Sequence, residues 1–236
     1  MSPPAALSLA FFDPEHGLYG TARAGATLLF DGEGSNVLPA GPEVQRDGER
    51  WKAALEGAFE LELEPVAEAA KLGGVNAHLC SVTGKVGATK VRCLGTVGET
   101  RKPPEWEQLD ALRSLSAAFD GQNAVLALAS RPRGVPGHGD EKVAAWLLRD
   151  GEPHDVEDAR ISTIYDGEGR QRSAGLELWM PGEDFPRRAN GTVVAGSSLQ
   201  LEGLSVHVAF FRWRMEDREG AGAYELWIRP DPPTAA

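Results

Sequence analysis

The chain has little cysteine, little histidine, no excess of basic charge and no long apolar run. Its two cysteines, Cys80 and Cys93, make neither a disulfide framework nor a zinc motif. They read as reduced, buried thiols that could face each other across a hairpin. The balance of 24 basic against 35 acidic residues gives a net charge of −11, which repels phosphate backbones and anionic lipid surfaces. Nucleic acid is therefore not an expected partner. No apolar stretch approaches the ~18 residues of a spanning helix, so no membrane insertion is expected. The opening Met-Ser-Pro-Pro-Ala-Ala-Leu-Ser-Leu-Ala lacks the charged and apolar regions of a signal peptide. The expectation is a cytoplasmic protein.

Missing motifs narrow the chemistry further. There is no Gly-x-Ser-x-Gly elbow and no phosphate-cradling loop, and Gly220-Ala-Gly-Ala223 opens a strand rather than a helix. The histidine–acid neighbours His138-Gly-Asp-Glu141 and His154-Asp-Val-Glu-Asp158 lack the count and spacing of a metal site. The sequence thus implies no metal and no cofactor.

What is present is an internal repeat. Shifted by 119 residues, Ala5 to Glu49 falls on Ala124 to Glu168 without a gap, with 16 of 45 positions identical. The densest block sets Ala26-Thr-Leu-Leu-Phe-Asp-Gly-Glu33 against Ala145-Trp-Leu-Leu-Arg-Asp-Gly-Glu152, and Asp47-Gly-Glu49 recurs at Asp166-Gly-Glu168. Local signals are those of β-structure. There are 28 glycines and five Asp-Gly steps, at 31, 47, 120, 150 and 166, and this dipeptide tolerates the positive φ that tight hairpins need. Apolar and polar residues alternate between the turns, as in Phe59-Glu-Leu-Glu-Leu-Glu64. One short helix is expected in Pro103-Pro-Glu-Trp-Glu-Gln-Leu-Asp-Ala-Leu112, from its early prolines and acids, and another turn or two in 65–71. The reading is an all-β chain of two antiparallel barrels related by duplication, spanning 1–98 and 113–236, joined by a helical linker at 99–112.

The segments that differ between the aligned copies include Phe11 to Gly20, set against Ser130 to Gly139. Phe12-Asp-Pro-Glu-His-Gly-Leu-Tyr-Gly-Thr-Ala-Arg23 resembles the opening of the lipocalin-like superfamily of carotenoid 1,2-hydratase and tocopherol cyclase-like proteins. Val82 to Gly95 resembles the family's hairpin ahead of its central motif, and Gly220 to Arg229 its closing strand. At the place of the central motif, Gly98 to Glu107 keeps an arginine and a tryptophan but no His-Ser pair. The resemblance implies two lipocalin-like barrels with an apolar ligand site in or between them, and activities such as hydration or cyclisation of isoprenoid-like substrates.

Such chemistry needs a carboxyl among aromatic faces, the first to move a proton and the second to stabilise a cation. The candidates for acid or base are Asp13, Glu15 and Glu225. Those for ligand contact are Phe12, His16, Tyr19, Trp106, Trp179, His207, Phe211, Trp213 and Trp227. On the last strand, Glu225 shares a face with Trp227, opposite to Tyr224, Leu226 and Ile228. It is either among lumen aromatics or merely solvated. Two functions follow: binding of a small apolar, isoprenoid- or polyketide-like molecule, or a cofactor-independent hydratase, cyclase or isomerase using a buried carboxyl. Oligomeric state is left open.

Overall fold

A computed structural model describes residues 6–229 except 33, 136 and 138. The described residues form nineteen strands and no helix. In the first half these are β1 (Ala6–Asp13), β2 (Leu18–Arg23), β3 (Ala26–Asp31), β4 (Gly34–Leu38), β5 (Glu43–Asp47), β6 (Arg50–Leu55), β7 (Phe59–Pro65), β8 (Ala70–Leu72), β9 (Val75–Val86) and β10 (Thr89–Thr100). The second half has β11 (Leu109–Asp120), β12 (Asn123–Pro132), β13 (Lys142–Arg149), β14 (Glu152–Asp155), β15 (Asp158–Tyr165), β16 (Gln171–Trp179), β17 (Arg187–Leu201), β18 (Leu204–Met215) and β19 (Arg218–Ile228). The first sheet runs β4-β3-β2-β1-β10-β9-β7-β6-β5, with β8 added on β9, and the second runs β14-β13-β12-β11-β19-β18-β17-β16-β15. Strand for strand the two orders are the same, so the duplication is real and each half is an antiparallel sheet curled around its own core.

Alternation decides which face each strand buries. On β7, Phe59, Leu61 and Leu63 are buried, while Glu60 and Glu64 are exposed. The turn before β14 has Asp150 at φ 52° and Gly151 at φ 82°, a pair that suits the right-handed twist of a two-residue hairpin.

Three expectations are corrected. The segment at 103–112 is not a helix: 101–108 is bends and irregular chain with one turn at 106–107, and Leu109 to Leu112 belong to β11. Consecutive prolines disfavour helix for the residue ahead of each ring, and the regular alternation of β11 captures the leucines for the sheet. The segment at 65–71 likewise gives bends and then β8. The ungapped repeat also slips by one strand at its start. It is right from β3 onward, where the Asp-Gly turns coincide, but it sets β1 on β12, whose true counterpart is β2. The cause is a connection of two residues, 24–25, between β2 and β3 against nine, 133–141, between β12 and β13. The segments 11–20 and 130–139 are therefore not equivalent loops.

Each half has its own interior. Leu9, Phe11, Trp51, Phe59, Leu63 and Val82 belong to the first, and Leu115, Leu176, Phe211, Trp213 and Tyr224 to the second. A third core joins the halves. It takes Ala10, Phe12, Tyr19 and Phe30 from one side and Val206, Val208, Phe210 and Ala223 from the other. The Phe210 ring lies 5.3 Å from those of Tyr19 and Phe30 and 6.5 Å from that of Phe12. At roughly 2 kcal/mol for each large side chain removed from water, this cluster binds the halves into one body. Among the described residues no helix is long and apolar enough to cross a membrane.

Candidate functional site

β1 and β19 are covered on both faces. One face of each looks into its own barrel and the other looks across at the opposite half. At one end of that shared space the aromatics fill it. At the other end Ser8, Ala10, Gly98, Ser114, Ser116 and Ala223 are too small to do so, and a cavity of about 310 Å³ remains between the halves. Leu72, Leu112, Leu126 and Leu128 supply apolar wall, and Trp106 and Trp227 line it as well. The volume lies in the range of small-molecule sites. Ser114 is exposed, so the cavity opens to solvent beside it.

Glu225 stands on this wall. The parity question has a third answer: Tyr224 points into the second barrel, and Glu225 points neither there nor to solvent but into the space between the halves. Its partners come largely from the first barrel. Thr21 Oγ1 donates to Oε1 at 2.7 Å, and Arg23 Nη2 makes an ion pair with Oε2. Trp227 Nε1 donates to the same Oε2 at 3.2 Å. The Arg23 guanidinium also lies over the Trp227 ring, 4.5 Å from its centroid. Desolvation pushes the Glu225 carboxyl up, but the Arg23 charge and the hydrogen bonds from Thr21, Arg23 and Trp227 outweigh it and hold the group below its ordinary value. The wall therefore carries an ionised, oriented carboxylate. Such a group can accept a proton or a hydrogen bond, and it is not a ready proton donor.

Of the residues singled out in the sequence, Glu225, Trp106 and Trp227 meet in this cavity. Phe12 and Tyr19 are part of the core between the halves. Burial and the nearby Asp13 carboxylate raise the Tyr19 phenol. Asp13 is buried in the β1–β2 turn, where it accepts a hydrogen bond from the His16 backbone NH at 3.2 Å and meets His16 Nδ1 at 2.8 Å. Glu15 is exposed in the same turn. From Ala10, the last cavity-lining residue of β1, the chain advances about 10 Å to Asp13, and neither Asp13 nor Glu15 lines the cavity. Phe211 and Trp213 stack at 5.4 Å inside the second barrel. His207 is half-buried with Nδ1 2.7 Å from Ser198 Oγ, and burial lowers its pKa. Trp179 lies under the Arg160 guanidinium at 4.8 Å. His138 lies outside the described residues. Cys80 and Cys93 are free, and burial pushes both thiols up to about 12.

Sequence reading missed Thr21 and Arg23, and it missed a charged cluster inside each barrel. In the second, the fully buried Arg113 pairs with Glu141 and donates to Tyr224 Oη at 3.1 Å and Thr163 Oγ1 at 3.3 Å. In the first, buried Glu99 takes Arg46 at 2.9 Å and Arg101 at 2.5 Å. A signal was available for both. Arg113 shares strand parity with Leu115 and Ala117, and Glu99 with Val91 and Val97. Each is a charge on the apolar face of a strand.

No known protein family and no curated protein matches this sequence. Solved structures share its fold. A protein assigned as AttH from Nitrosomonas europaea superposes with a TM-score of 0.62 at 11% identity, over 95% of this chain and 92% of that one. Kievitone hydratase from Nectria haematococca superposes with a TM-score of 0.62 at 10% identity, over 95% of this chain and 89% of that one. At such identities the likeness is one of fold. The chain has the duplicated, two-barrel lipocalin-like architecture of these proteins.

Proposed function

We propose that this protein binds a small apolar molecule bearing one polar group in the cavity between its two barrels. The observation that carries the reading is the meeting, in one apolar space of about 310 Å³, of Trp106, Trp227 and the ionised Glu225. The leucines and indoles would take the hydrophobic body. Glu225 and Arg23 would take a hydroxyl or carbonyl, the carboxylate accepting and the guanidinium donating. The site is built from unlike segments of the two copies, so one ligand per chain is expected there.

A second reading is favoured by one feature. Glu225 is a desolvated carboxylate held in a single orientation, and a carboxylate so placed can remove a proton from a bound substrate and return it. A solved structure of the same fold is named as a hydratase. On this reading the protein would be a cofactor-independent lyase or isomerase with Glu225 as base, Arg23 setting its orientation, and the indole faces stabilising developing positive charge.

The test uses the exposed cavity wall. Ser114→Phe places a ring in the cavity from a position that is open to solvent, so the fold should persist. Wild type should bind the uncharged apolar fluorophore N-phenyl-1-naphthylamine with saturable enhancement, and the variant should lose that component at an unchanged melting temperature. Equal binding by the two folded proteins refutes the site. Native mass spectrometry of protein from its own source would weigh any retained ligand. If a turnover is found, Glu225→Gln separates the readings, since it should abolish catalysis while sparing binding.

A further inference from the structure

We infer that the interior of the first barrel is a second binding site, adjoining the cavity between the halves along β1, and that it takes a small apolar carboxylate. A cavity of about 320 Å³ opens there, with Leu7, Val44 and Trp51 in its wall, and Ala6, Ser8, Leu9, Arg23 and Val97 border both this cavity and the one between the halves. Strand alternation places the charged cluster at its rim. Glu99 lies two residues beyond Val97 on β10 and opposite Leu7 on β1. Arg46 lies two beyond Val44 on β5 and opposite Trp51 on β6. The Arg46 guanidinium sits 5.2 Å from the centre of the Trp51 ring, and the His78 ring is 4.8 Å from the same ring.

Two features of this rim suit it to an anion. First, two guanidinium groups, Arg46 and Arg101, share the single Glu99 carboxylate, so the cluster carries a charge of one sign in excess. Both arginine side chains are about half exposed, 50% and 54%, whereas Glu99 is 6% exposed. The acid is thus the fixed centre, and the guanidinium groups keep donors for a second acid. Second, His78 Nε2 is buried and makes no hydrogen bond among the described residues. It lies 3.9 Å from Glu99 Oε2, beyond bonding distance. Buried polar atoms are ordinarily paired with protein, water or ligand, so Nε2 is open to a further partner. Desolvation lowers the His78 pKa, so the neutral ring can offer Nε2 as donor or acceptor. A carboxylate at the rim would balance two guanidinium groups with two acids, and its apolar tail would enter the space beside Trp51. In the second barrel the buried arginine, Arg113, pairs instead with the buried side chain of Glu141.

The experiment isolates the lumen by working in the Ser114→Phe protein, in which the cavity between the halves is filled. Calorimetric titration with octanoate and with 1-octanol compares an acid with an uncharged molecule of the same chain length. Octanoate should bind at least about tenfold tighter, which corresponds to ~1.4 kcal/mol and to the loss or gain of one charge-assisted hydrogen bond. Arg46→Gln leaves one guanidinium to one carboxylate and should bring the ratio of the two affinities close to unity. Val44→Trp, at a half-buried position on the edge strand, should weaken both ligands tenfold or more. The arginine variant alters a half-exposed side chain, so it keeps the test decisive should the tryptophan variant fail to fold. A folded Ser114→Phe protein that binds no octanoate, equal affinity for acid and alcohol, or a ratio untouched by Arg46→Gln overturns the proposal. Ser114, Val44 and Trp51 keep the two tests apart, since Ser114 lines the cavity between the halves and not the lumen, and Val44 and Trp51 line the lumen and not that cavity.

Discussion

Replacing Arg23 by methionine keeps the stem of the side chain and removes its charge. Glu225 then remains at the barrel interface with only Thr21 and Trp227 as donors. Breaking a buried pair from one side costs about 3–5 kcal/mol. The two side chains are 19% and 11% exposed, so some screening survives and the lower end applies, about 3 kcal/mol at pH 7. The contact between the guanidinium and Trp227 is part of that figure. Arg23→Met combined with Glu225→Leu removes both charges, and the double variant should recover most of the loss, leaving a coupling energy of about 2 kcal/mol in the cycle.

The pH dependence makes the test sharper. In the wild type the folded-state pKa of Glu225 is lowered. Its stabilising contribution is therefore present above the unfolded value, near 4.3, and is lost as pH falls through the folded value. In Arg23→Met the desolvation that Arg23 had outweighed prevails, and the folded pKa should lie above the unfolded one. The sign then reverses: the ionised group costs stability at neutral pH, and the cost is relieved on acidification. Urea unfolding followed by tryptophan fluorescence should give a gap between the two proteins that is widest near pH 7 and narrows toward pH 4. A loss below ~1 kcal/mol, the size expected of a surface pair, or a gap that does not change with pH, would refute the placement of this pair in a desolvated interface.

Gly222→Ala should be among the most damaging small substitutions, because a methyl group there would lie 1.9 Å from the Ser116 carbonyl oxygen on the adjoining strand; a loss above ~3 kcal/mol is expected in the same urea assay. Native protein at pH 8 should react slowly with a thiol reagent at both Cys80 and Cys93, whose thiols burial holds at about 12, and two thiols should react at once in denaturant. Tyr224, raised to about 12 chiefly by burial, should be the last of the three tyrosines to ionise in an alkaline absorbance titration. Tyr224→Phe should remove that late step and cost about 1–3 kcal/mol by leaving Arg113 and Thr163 short of a partner.

The fold was legible in the sequence because β-structure announces itself locally, and the site was legible only where a local rule sufficed. Asp31-Gly32 and Asp150-Gly151 end equivalent strands, and the alternation of Phe59, Leu61 and Leu63 names the buried face of β7 without reference to anything distant. The same property caused the slip at the start of the repeat. Strands such as Ala-Leu-Ser-Leu-Ala on β1 and Ala-Val-Leu-Ala-Leu on β12 are interchangeable by composition, and a difference of seven residues in one connection is invisible to an ungapped match. For Glu225, parity grouped it correctly with Trp227 and against Tyr224. What parity does not contain is the number of covered faces. A strand at the edge of one barrel is buried on one side, whereas β19 is buried on both because another barrel lies against it, so "not in the lumen" does not mean "in water". Thr21 and Arg23 reach Glu225 across 204 and 202 residues of chain, and no spacing rule links them. The charge on a strand face that packs against a neighbour is nonetheless a usable signal once duplication is known. In a two-barrel chain the strands that adjoin the second copy have no solvent face, and an acid there must find a cation or a ligand.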